Sequence, residues 1–87
     1  MILYLVSYVD MSIAAKLLNK MRNNPLGWSV SDVKSVSAKF GLNIRDGKGS
    51  HFVVYHPSIP TILTIPAKRP IKPVYIKMLI ELIDQTR

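Results

Sequence analysis

At Leu42 the hydrophobic rhythm of this chain switches from a period near 3.6 residues to a period of two, and around Pro73 it switches back. The first regime predicts two helices. Ile13, Leu17, Leu18 and Met21 recur at helical spacing between Lys16, Lys20 and Arg22, which makes Met11 to Asn24 an amphipathic helix with Ser12 as its N-cap. It ends at Asn23-Asn24-Pro25, because proline disfavours helical geometry in the residue before it. A second helix is expected from Ser31 to Phe40, capped by Ser29 or Ser31, with Asp32 favourable in its first turn. Its apolar stripe is Val33, Val36 and Phe40, and Gly41 stops it. Trp28 is expected to pack on this helix as core.

The second regime predicts three strands. These are Leu42 to Arg45, Ser50 to Tyr55 and Thr61 to Ile65, the last stopped by Pro66. Asp46-Gly47-Lys48-Gly49 separates the first two as a hairpin turn, and Pro57-Ser58-Ile59-Pro60 separates the others. Short links favour an antiparallel meander. Alternation places His51, Val53 and Tyr55 on one face, and Phe52, Val54 and His56 on the other. Phe52 and Val54 are expected beneath the helices, which leaves His51 and Tyr55 on the open face. After the basic loop from Ala67 to Lys72, Pro73 opens a last helix that buries Ile76, Leu79, Ile80 and Ile83 and turns Glu81, Asp84 and Gln85 outward.

The expected architecture is α+β, with a three-stranded antiparallel sheet and helices on one face in the order helix-helix-strand-strand-strand-helix. With 87 residues the chain has room for one core only, so residues 1–28, an N-terminal extension with one amphipathic helix, and residues 29–87 form a single compact domain. The longest apolar run, from Ile2 to Val9, falls short of the roughly 20 residues a membrane span needs. It reads as a short extra strand or an extension upstream of a second start at Met11. No export signal and no membrane partner are expected.

The chain carries 12 Lys and Arg against 5 Asp and Glu, a net charge of +7, which points to a polyanionic partner. From Arg45 to Lys77 there are six bases and one acid, Asp46. Three of those bases, Lys68, Arg69 and Lys72, fall within five residues between prolines. A held cationic loop loses little ordering entropy when it binds phosphate.

The absence of cysteine removes disulfides, thiolate zinc sites and thiol nucleophiles, and fits a reducing cytoplasm. His51 and His56 are five apart on one strand and point to opposite faces, a poor arrangement for a metal, so no cofactor is expected. Carboxylates are too few for a two-acid glycosidase or a two-metal nuclease. Phosphate-binding and dinucleotide glycine motifs are missing, as is a nucleophile elbow. A histidine beside a cationic loop remains. RNA supplies its own nucleophile, the 2′-hydroxyl, so a single imidazole can move the proton while Lys and Arg stabilise the phosphate. His51 follows Gly49-Ser50 at the mouth of a turn, where it can meet solvent. His56, just before Pro57, reads as a turn residue.

Gly49-Ser50-His51 entering a strand, then His56-Pro57, a third strand ending Thr64-Ile65-Pro66, the Pro66-to-Pro73 segment and a closing helix resemble the HicA toxin family. The resemblance covers about Ser29 to Asp84. It implies a fold like that of the double-stranded-RNA-binding domain. It also implies messenger-RNA cleavage without metal, as the toxin of a type II toxin–antitoxin system, with His51 catalytic and a HicB-like antitoxin covering the site. The segment before Trp28 matches a longer subgroup with an extra N-terminal helix.

The expectation is therefore an endoribonuclease (mRNA interferase) in which His51 is the general acid/base. Lys48, Lys68, Arg69 and Lys72 hold phosphates, and Ser50 donates a hydrogen bond. Two other readings compete. One is a non-catalytic RNA-binding module of the same fold class, which reads RNA by shape. The other is an interaction protein that pairs through its open sheet face.

Overall fold

The computed structural model describes residues 13–86. The apolar run from Ile2 to Val9 and the Ser12 cap lie outside the described residues. Six elements follow in order: α1 (Ile13–Asn23), α2 (Val30–Lys39), β1 (Asn43–Asp46), β2 (His51–His56), β3 (Ile59–Pro66) and α3 (Pro73–Gln85). The fold is α+β, with the sheet in the order β1-β2-β3 and both pairings antiparallel.

In α1 the buried residues are Ala14, Leu18 and Met21, with Leu17 half-buried. Ile13, expected on the apolar stripe, is 84% exposed. Ala14 is the reason: at about 100° per residue, Ala14, Leu17, Leu18 and Met21 form a complete stripe, and Ile13 falls beyond its edge. Helix α2 starts one residue earlier than expected because Ser29 is its cap. The Ser29 side chain accepts from the Asp32 N–H, and the Asp32 carboxylate accepts from the Ser29 N–H at 3.0 Å. Val33 and Val36 are fully buried, while Phe40 is half-buried at the helix end and packs against the core.

Helix α3 is buried over a wider arc than its sequence suggests. Ile76, Leu79, Ile80 and Ile83 are buried as expected, and so is Leu82. These residues span roughly 160° of the helix surface. Two neighbours account for that arc, since α3 packs against both β3 and α1. Asp84, on the outward side, forms a two-pronged bond with Arg22 of α1 at 2.7 and 2.9 Å. That bond raises the Arg22 pKa further above its already high ordinary value.

One apolar cluster joins every layer: Leu18 and Met21 of α1, Val33 and Val36 of α2, Phe52 and Val54 of β2, Leu63 and Ile65 of β3, and the α3 residues. Trp28 packs at its margin, with its ring N–H bonded to the Asn24 carbonyl (2.7 Å) and its own carbonyl accepting from the Ile71 N–H (2.8 Å).

The sheet departs from expectation at the second hairpin. The turn is only Pro57-Ser58, and β3 begins at Ile59. His56 pairs with Ile59 but Tyr55 pairs with Ile62, so Pro60 and Thr61 bulge out of the ladder. At its other end β3 runs on through Pro66, which pairs with His51. An edge strand tolerates both prolines, because its outer side donates to no neighbour. Val53 is also buried, although it belongs to the same face as His51 and Tyr55. It sits between Arg45 and Thr64 on the flanking strands and lies outside the helix-covered core cluster.

Candidate functional site

The β1–β2 turn fixes the position of His51. Gly47 N–H donates to the His51 carbonyl at 2.9 Å, and His51 N–H donates to the Lys48 carbonyl at 3.1 Å. A Cβ on Gly47 would come within 3.2 Å of the His51 carbonyl oxygen, a tight contact that a side chain could take only if the turn gave by a few tenths of an ångström. Gly49 takes φ +59°, the left-handed conformation that completes the turn. The imidazole Nδ1 lies 3.2 Å from the same Lys48 carbonyl. A carbonyl can only accept, so Nδ1 carries the proton and Nε2 is the nitrogen with the free lone pair in the neutral ring. The side chain is exposed.

A backbone bond then brings the basic loop to this turn. Ala67 N–H donates to the Ser50 carbonyl at 2.7 Å, and Pro66, one residue earlier, is the cross-strand partner of His51. Lys68 therefore begins the loop next to the strand that carries the imidazole. Lys72 caps α3 at the far end of the loop. Pro66, Lys68, Lys72 and Tyr75 enclose a cavity of about 160 Å³.

The expected site residues fall into two groups. Lys68 and Lys72 share the cavity with Pro66, the cross-strand partner of His51, while Ser50 is tied to the start of the loop by the Ala67–Ser50 bond; neither Ser50 nor His51 lines the cavity. Lys48 sits in the turn, where its backbone rather than its ammonium holds the His51 ring. Arg69 is exposed in the loop, ahead of Pro70, and does not line the cavity. The sequence reading missed Tyr75. Its signal was the spacing from Lys72, since residues three apart in a first helical turn share a side.

His56 ends β2 differently. Its Nδ1 accepts from the Ser58 N–H at 3.0 Å, so the ring closes the Pro57-Ser58 turn, as expected of a turn residue. On the open face Arg45 lies over the Tyr55 ring, 5.9 Å from its centroid, and Ile62 is 61% exposed. A larger cavity of about 330 Å³ lies between α1 and α2. Among the described residues Lys39 is its one charged wall residue, and no histidine lines it.

Among the described residues no cluster of three His, Cys, Asp or Glu could hold a metal ion, and no helix is long and apolar enough to cross a membrane. Compared with protein-family models, with curated proteins and with solved structures, the chain matches none.

Proposed function

We propose that this protein is a metal-independent endoribonuclease that cuts messenger RNA, with His51 as its general acid/base. The observation that carries this reading is the exposed His51 ring, locked through Nδ1 to the Lys48 carbonyl beside a cationic loop that is bonded to Ser50. Nε2 takes the proton of a ribose 2′-hydroxyl. The resulting alkoxide attacks the adjacent phosphorus, the bond from phosphorus to the 5′-oxygen breaks, and the imidazolium returns its proton to that oxygen. The products are a 2′,3′-cyclic phosphate and a free 5′-hydroxyl. Lys48, Lys68, Arg69 and Lys72 hold phosphates of the RNA backbone, and Ser50 donates a hydrogen bond. The resemblance to the HicA family extends this reading to a cytoplasmic toxin restrained by a HicB-like antitoxin. Its core order, α2-β1-β2-β3-α3, is the helix–three strands–helix arrangement that the resemblance implies.

The test compares wild type with His51→Ala on purified RNA and in growing bacteria. Wild type is expected to cut RNA, to spare a substrate with 2′-deoxyribose at the cut, and to arrest growth. His51→Ala is expected to lose about 10²–10⁴-fold in cleavage while still binding RNA. RNA bound by wild type but left intact at every pH would replace the enzyme with a non-catalytic RNA-binding module. Absence of any salt-sensitive RNA affinity would leave an interaction protein.

A further inference from the structure

Among the described residues, those lining the cavity beside β3 are groups that donate to anions or are neutral. Lys68 and Lys72 supply two ammonium groups, Tyr75 a phenol and Pro66 an apolar wall. The ion pair found among the described residues is Arg22–Asp84, on the other side of α3's sequence, and neither Lys68 nor Lys72 has a carboxylate partner there. The Tyr75 hydroxyl likewise has no hydrogen-bond partner among the described residues, while its ring packs against the core. Two unpaired cations and an unpaired hydroxyl around one small cavity form a site that lacks only an acceptor.

Size narrows the ligand. At about 160 Å³ the cavity is well below the range of roughly 300–1,000 Å³ typical of sites for whole small molecules. A volume of that size suits a single phosphate group better than a complete nucleotide. Position narrows it further. Pro66, which lines the cavity, is the cross-strand partner of His51, one strand spacing of about 4.8 Å away. A phosphate held there is a neighbour of the one being cut.

We propose that Lys68, Lys72 and Tyr75 form a subsite for a single non-reacting backbone phosphate of the RNA, which sets the register of the strand over His51. This rests on the ribonuclease reading and adds to it a subsite, a third ligand in Tyr75 and a kinetic signature. A group that grips a non-reacting phosphate binds ground state and transition state alike, so its loss raises KM and leaves kcat in place.

Two measurements on the full chain test this. First, inorganic phosphate is titrated into ¹⁵N-labelled protein in a phosphate-free buffer. Saturating shifts are expected at the amides of Ala67, Lys68, Lys72 and Tyr75, weakened about tenfold by Tyr75→Phe and abolished by Lys68→Gln with Lys72→Gln. Shifts of equal size spread over Lys16, Lys20, Lys34 and Lys39 would overturn the subsite. Second, the double variant, checked for an unchanged thermal midpoint, is assayed on RNA. KM is expected to rise about tenfold with kcat within about twofold. Normal KM would overturn the subsite and leave the ribonuclease standing. Saturation at the cavity without any RNA cleavage by wild type would overturn the ribonuclease and leave the anion site standing.

Discussion

The two histidines at the ends of β2 have the same side chain and opposite bonding. His51 points its Nδ1 at a carbonyl oxygen, so that nitrogen must donate and Nε2 keeps the lone pair. His56 receives a backbone N–H at Nδ1, so there the lone pair is occupied and the ring proton sits on Nε2. One imidazole presents a base beside a cationic loop, and the other is spent on a turn. The environment of a histidine, more than its presence, decides whether it can move protons for a substrate.

The sharpest way to break the contrast is activity. His51→Ala is expected to lower RNA cleavage about 10²–10⁴-fold, and His56→Ala to leave it within about threefold, measured on one RNA at one salt concentration. Equal losses would mean that neither ring has a chemical role of its own. Next comes salt. Lys68→Ala with Arg69→Ala, near the His51 end, is expected to flatten the log–log dependence of RNA affinity on salt by about 1.4, or 0.7 for each lost contact. Lys34→Ala with Lys39→Ala on α2 is expected to leave the slope unaltered, and an unchanged slope in the loop variant would reject the loop as a phosphate holder.

Stability should reverse the ranking. His56→Ala removes the acceptor of the Ser58 N–H and is expected to cost about 0.5–1 kcal/mol in urea unfolding, more than His51→Ala costs. The smallest effect is spectroscopic. With both rings neutral, long-range ¹H–¹⁵N correlation is expected to show the Nδ1–H tautomer at His51 and the Nε2–H tautomer at His56. The same tautomer at both positions would dissolve the distinction.

Much of this architecture was legible because each element announces itself locally. The Ser29–Asp32 capping box, the change of period at Leu42 and the proline ahead of α3 are short-range signals. Burial set by tertiary neighbours was not legible. Leu82 is buried on a helix that packs against two neighbours, and Val53 is buried because flanking strands enclose a central one. At the candidate site the placement of His51 at a strand start followed from glycine chemistry. The approach of the basic loop to this turn did not, because it depends on a backbone bond from Ala67 to Ser50, and backbone groups are identical at every non-proline position. Pro66 misled for a related reason: proline reads as a strand stop unless the strand is known to lie at an edge.

The prolines at both ends of β3 also govern how another chain can approach. Neither Pro60 nor Pro66 has an N–H to offer, and the bulge at Pro60-Thr61 bends the strand where a newcomer would begin to align. A fourth strand could zip onto only a short middle stretch of this border. A chain that aligned along β3 would thereby be held to a few residues, which blunts this border as a template for aggregation.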